Sequence, residues 1–157
     1  MKNKKNNKGF SLVELIVVVA IMAVLVGVLA PAYLKYVENS RINKDKTNAE
    51  EFIKAAEVAF TDEAIYNTVK FNTGADITIT ISDATAITVA ADGSVGGGAV
   101  VAGGTCGDLV KEMTAAVSDT LDLTSKKLNG GTLVITFKGT TLKVSGELKD
   151  SAGNVVQ

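Results

Sequence analysis

A chain of 157 residues with formal net charge −1 is long enough for one domain and an appendage. It has no His, no Trp and a single cysteine, Cys106, which excludes an intramolecular disulfide, a Cys/His metal cluster, and any Ser-His-Asp or Cys-His catalytic arrangement. Lys2, Lys4, Lys5 and Lys8 fall in the first nine residues; without them 12 basic residues face 17 acidic ones, a balance of −5 that offers nucleic acid no electrostatic footprint. Nothing in the spacing of the acids marks a catalytic pair, so no enzyme, cofactor or metal site is expected.

From Phe10 to Ala32 the chain is apolar except for Ser11 and Glu14. As a helix this run would be about 34 Å long at about 1.5 Å per residue, matching a hydrocarbon core of about 30 Å. In lipid the backbone must satisfy itself, so helix is the expected state despite the many Val and Ile. The Lys-rich start argues for a cytoplasmic N-terminus, a bias weakened by Lys35, Arg41 and Lys44 on the far side. A secretory signal peptide is one reading, with Ala30-Pro31-Ala32 as a small-x-small site; a plain membrane anchor is another. Both leave Glu14 without a purpose, and a buried carboxylate needs a partner. Pro31 denies a hydrogen bond to the carbonyl of Gly27, so Gly27 to Pro31 is a built-in weak point, either a simple kink or a place that melts.

Lys8-Gly9-Phe10-Ser11-Leu12-Val13-Glu14 resembles the leader-cleavage motif of type IV pilins and pseudopilins. The resemblance covers the first 35 to 60 residues. It implies cleavage by a membrane peptidase between Gly9 and Phe10, N-methylation of Phe10, and an assembly role for Glu14 facing the N-terminal amine of a neighbouring subunit. Pro31 falls where the family has a helix-bending proline, which favours melting in a filament over a simple kink.

After Tyr33 charges appear at Lys35, Glu38, Arg41, Lys44, Asp45 and Lys46. Ala49, Phe52, Ile53, Ala56 and Phe60 then recur on one helical face, and Glu50 and Lys54 form an i,i+4 pair on another. One helix is therefore expected from near Phe10 to about Phe60, apolar all round and then amphipathic. The remainder reads mainly as strand. Ile77, Ile79 and Ile81 alternate with Thr; Ile87 and Val89 continue the habit, and Asp92-Gly93 signals a turn. Leu133, Ile135 and Phe137, then Lys138-Gly139, then Leu142 and Val144, read as a hairpin. Leu109, Met113, Ala116 and Val117 suggest a short helix with Asp108 as its N-cap. Gly96–Gly107 has no phosphate-binding spacing and reads as a flexible loop, with a surface contact loop as the alternative. Cys106 within it reads as a buried small residue. The run Asp150–Asn154 reads as a turn rather than the calcium site that some pseudopilins carry.

The expected architecture is α+β, a long N-terminal helix packed on a small antiparallel sheet of about four strands. Its parts are a leader (1–9), a membrane and filament-core helix (10–32), the amphipathic half of that helix (33–60) and a head domain (61–157). The resemblance implies a structural subunit of a type IV pilus serving adhesion, twitching motility or DNA uptake; a pseudopilin of a secretion or competence system is the alternative. Outside the family the rival is a secreted or membrane-anchored binding domain. The implied partners are copies of the chain, minor pilins, the prepilin peptidase, a membrane assembly platform, a cytoplasmic ATPase and, before assembly, lipid. The implied location is the cytoplasmic membrane and then an extracellular filament.

Overall fold

The computed structural model describes residues 10–71, 76–89, 94–138, 141 and 143–156. The chain divides into two compact units, Met1–Val37 and Glu38–Gln157.

Helix α1, Leu12–Thr61, begins in the first unit and ends in the second. In the first unit its side chains are exposed all round: Leu12, Val24 and Leu29 retain 72%, 67% and 62% of their surface. The mean hydropathy over its most apolar 18 residues is 3.1, so it is long and apolar enough to cross a membrane. The helix is continuous through Gly27 and Pro31. It ends where Asp62, in extended conformation, caps the one-turn helix α2 (Glu63–Tyr66) by accepting the N–H groups of Ala64 and Ile65.

In the second unit Ala49, Phe52, Ala56, Ala59 and Phe60 of α1 enter the hydrophobic core, with Ile53 half-buried beside them. The expected apolar face is thus the face that packs. Phe60 meets Phe137 edge-on, with ring centroids 5.2 Å apart, and Tyr66 at 5.5 Å. The strands that follow are β1 (Lys70–Phe71), β2 (Ile77–Ser82), β3 (Ile87–Val89), β4 (Val95–Gly97), β5 (Ala99–Ala102) and β6 (Gly104–Thr105). Helix α3 (Gly107–Ala116) then leads to the hairpin strands β7 (Thr132–Lys138) and β8 (Lys143–Lys149). The main sheet has the order β5-β2-β7-β8, antiparallel throughout. Ile79 stands opposite Ile135, and Ile81 opposite Leu133, on the face turned to the core. Gly146 of β8 leaves room for Ile53 of α1: a Cβ there would collide with the Ile53 side chain. The α+β reading with a four-stranded antiparallel sheet holds.

Two expectations need correction. Most of Gly96–Gly107 is not a loop but strand: β5 is an edge of the main sheet, β4 pairs with β3, and β6 pairs with β1. Glycine here permits close backbone approach. Gly103 sits at φ +90°, and a Cβ would strike the carbonyl of Asp76; at Gly98 it would strike that of Thr85. Ile87 and Val89 do form a strand, β3, with Ile87 buried and Thr88 exposed, and it pairs with β4 in a separate two-stranded ribbon. Asp108 is not the N-cap of α3; Cys106 holds that position and makes no side-chain capping bond. Starting the helix at Gly107 puts Leu109, Val110 and Met113 in the core and leaves Asp108 in the first turn, where the helix dipole favours an anion. The turn residues Asp92 and Gly93, together with Gly139 and Leu142 of the hairpin, lie outside the described residues.

Candidate functional site

The first described residues form a helix start. Leu15 N–H donates to the Ser11 carbonyl at 3.2 Å, and α1 follows from Leu12. Glu14 lies three residues after Ser11, and its Oε2 accepts the Ser11 backbone N–H at 3.0 Å. This is the reach-back half of a capping box, satisfying one donor that the helix start leaves without a partner. The Ser-x-x-Glu spacing carries this signal in the sequence, placing a backbone donor three residues before Glu14 in the same chain as well as any partner in another chain. Phe10 is 86% exposed and so carries no core packing within the chain. Gly9 lies outside the described residues. Gly27 and Pro31 are four residues apart on α1, and a Cβ on Gly27 would meet nothing within 4 Å. That open surface would let another helix approach closely.

A second set of polar contacts fastens the amphipathic half of α1 to the segment between α3 and β7. Asp45, fully buried, accepts the Thr124 N–H (2.8 Å) and the Thr124 hydroxyl (3.0 Å) through Oδ1, and the Ser125 N–H (2.8 Å) through Oδ2. Burial pushes its carboxyl pKa up, but the hydrogen bonds from Ser125 and Thr124 outweigh that and hold it below its ordinary value. Glu38 Oε1 accepts the Lys127 N–H at 3.2 Å, and Asn48 donates to the Asp122 carbonyl at 3.3 Å. Residues 122 to 127 therefore run antiparallel to α1, from Asn48 back to Glu38. The sequence reading counted Asp45 among the charges after Tyr33 and missed its burial. The signal was its place four residues before Ala49 and seven before Phe52, on the apolar face.

Cys106 is buried, and burial pushes its thiol up to about 12, far from a reactive thiolate. Asp150 spends its carboxylate inside its own turn, accepting the N–H groups of Ala152 (3.0 Å) and Asn154 (2.9 Å) and the Asn154 side-chain amide. These bonds, that from Asn154 foremost, hold its carboxyl below the usual range. Among the described residues no group of three or more His, Cys, Asp or Glu side chains could hold a metal ion.

Residues 4–30 match the family described as the prokaryotic N-terminal methylation motif. The chain is 35% identical over 69 residues to "Prepilin peptidase-dependent protein A" of Clostridium perfringens, covering 43% of this chain and 49% of that protein. It is 33% identical over 61 residues to "Type IV major pilin protein PilA" of Myxococcus xanthus, covering 39% of this chain and 28% of that one. The chain thus spans half or less of the length of these curated relatives. No solved structure matches it.

Proposed function

On the premise that this chain, through its methylation motif at residues 4–30, belongs with the type IV pilins, we propose that it is a filament subunit made as a membrane-inserted precursor. The observation that carries this reading is the fully exposed apolar half of α1, which begins directly after Gly9-Phe10 and contains Glu14 as its one carboxylate. Such a surface must be covered by lipid or by other helices. Cleavage between Gly9 and Phe10 removes four lysines and creates one cation, the Phe10 amine, which N-methylation leaves charged. A carboxylate has acceptor capacity beyond the one bond that Glu14 makes to Ser11 N–H. It can therefore cap its own helix and still receive the amine of a neighbour. Stacked apolar helices slide easily, whereas leaving one of two such charges unpaired costs roughly 3–5 kcal/mol, which fixes the register.

Assembly moves apolar surface from lipid to protein, so the hydrophobic effect supplies little of the drive; helix packing, the Glu14 pair and contacts between heads supply the rest. Extraction from the membrane then needs outside work, the role of a platform protein and a cytoplasmic ATPase. Melting at Gly27–Pro31 would let the helix stretch as it enters the filament. The precursor would sit in the cytoplasmic membrane, and the mature subunit in a filament outside the cell with minor pilins. A protein named as a major pilin among the relatives favours a pilus over a secretion or competence pseudopilus.

N-terminal analysis of the mature protein tests this first. N-methyl-Phe10 supports the filament subunit; a start at Tyr33 replaces it with a secreted domain, and an intact Met1 with an anchored one. Electron microscopy of a deletion strain then divides the family: lost surface filaments mean a pilus, and lost secretion with intact filaments means a pseudopilus.

A further inference from the structure

One carboxylate closes the segment that leads into β7. Asp83 accepts the Leu123 N–H through Oδ1 at 2.9 Å and the Gly130 N–H through Oδ2 at 2.8 Å. The second anchor sits within the turn Leu128-Asn129-Gly130-Gly131, in which Asn129 N–H donates to the Ser125 carbonyl (3.0 Å) and Gly131 N–H to the Leu128 carbonyl (2.7 Å). Gly130 sits at φ +73°, and a Cβ at Gly131 would collide with the carbonyls of Lys149 and Leu128. The turn therefore favours glycine at both positions, and it places an exposed Asn129 directly before a Gly.

Asn followed by Gly is chemically unstable, because no side chain shields the next amide nitrogen. That nitrogen, once deprotonated, can attack the Asn129 Cγ. The new N–Cγ bond forms as the Cγ–NH2 bond breaks, and the side-chain nitrogen leaves as ammonia, taking up the proton. Water then opens the five-membered imide at either carbonyl, giving aspartate or its isoaspartyl isomer.

We propose that Asn129 is a latent self-modification site and that Asp83 keeps it silent. The Asp83 carboxylate holds the very hydrogen that must be lost, and its negative charge opposes an amide anion on the same nitrogen. Gly130 N must leave Asp83 before it can swing onto Asn129 Cγ, so reaction in the folded chain waits for local opening of the turn. Conversion then places a second negative charge at the turn, and the isoaspartyl form adds a backbone carbon that displaces Gly130. The isoaspartyl product, with its lengthened backbone, cannot return the Gly130 N–H to Asp83, so each such conversion irreversibly records that the turn has opened. Asp83 acts here as a positioning residue, and this holds whether or not the chain enters a filament.

The test follows Asn129 by peptide mass spectrometry in the full-length protein and in a synthetic peptide covering residues 125–133, in the same mildly alkaline buffer. The folded protein is expected to convert slower by about tenfold or more. Asp83→Ala and Asp83→Asn should speed conversion and raise amide exchange at Gly130, while β7 amides stay protected. Three outcomes overturn the proposal. In the first, the wild-type protein converts at the peptide's rate. In the second, both folded variants stay as slow as wild type. In the third, protection in β7 falls together with Gly130, which would make the effect global unfolding. Should Asp83→Ala fail to fold, Asp83→Asn and the wild-type comparison decide.

Discussion

Asp45 and Ser125 are 80 residues apart in the chain and 2.8 Å apart in space, the buried carboxylate of one accepting the backbone N–H of the other. With Thr124 the same carboxylate gathers three donors, so a charge on the apolar face of α1 becomes the fastening between helix and head.

Asp45→Asn should test that fastening. The carboxamide keeps one acceptor oxygen but turns an NH2 group toward N–H donors. The expected loss is about 2–4 kcal/mol, because buried donors are left without partners. Urea denaturation of the purified protein measures it, with an unchanged m-value showing that only stability has moved.

Stability should also fall on acidification, with a sign set by Asp45. Its carboxyl lies below its ordinary value of 3.8 when folded. The unfolded chain therefore takes up the proton first, and the contribution is complete above about pH 4 and lost as pH falls through the folded value. Asp150 acts in the same direction, more weakly because its carboxylate lies at the surface, where solvent screens it. Thermal melts from neutral to acid should show the drop in wild type and a shallower one in Asp45→Asn; equal slopes would remove Asp45 as the cause.

Glu14→Ala should abolish filament assembly and leave cleavage intact. Glu14→Gln sharpens the test, since its amide oxygen can still accept the Ser11 N–H but carries no charge. Loss of assembly in both variants assigns the role to charge pairing. Assembly by the Gln variant alone assigns it to the helix cap, worth about 0.5–2 kcal/mol. Accumulation of uncleaved precursor in either one would move Glu14 from assembly to processing.

Gly146→Val should destabilise the head by about 1–3 kcal/mol through overpacking, because β8 passes α1 at the place occupied by Ile53. Adding Ile53→Ala should recover part of the loss. A double mutant whose cost equals the two single costs added would mean that the two sites do not touch.

Cys106 should resist alkylation. With the thiol at about 12 rather than 9.0, its thiolate fraction at mildly alkaline pH falls about a thousandfold. Labelling by iodoacetamide should be slow in the native protein and rapid in denaturant; fast native labelling would place the thiol at the surface.

Much of the architecture was legible because it is periodic. The run from Phe10 to Ala32 reads as a helix because a lipid-buried backbone must satisfy itself, Ala49 to Phe60 repeats at helical spacing, and Ile77 to Ile81 alternates as a strand does. The failures fall where pattern carries no information. Gly96–Gly107 has no alternation to read, and its glycines serve backbones that approach from distant parts of the chain. Asp45 looked like one charge among several, since its donors lie 79 and 80 residues away.

The sequence by itself determined the helix, its apolar and amphipathic halves, the strand pairs of the hairpin and the methylation motif, all of them local and set by spacing and residue type. Only the tertiary structure decided that a glycine run forms sheet edges, that Gly146 is vacant for Ile53, and that Asp45 and Asp83 hold the segment before β7. The reason is physical. A side chain's period is written within a few residues of it, whereas a backbone N–H finds its acceptor wherever the folded chain brings one within 3 Å.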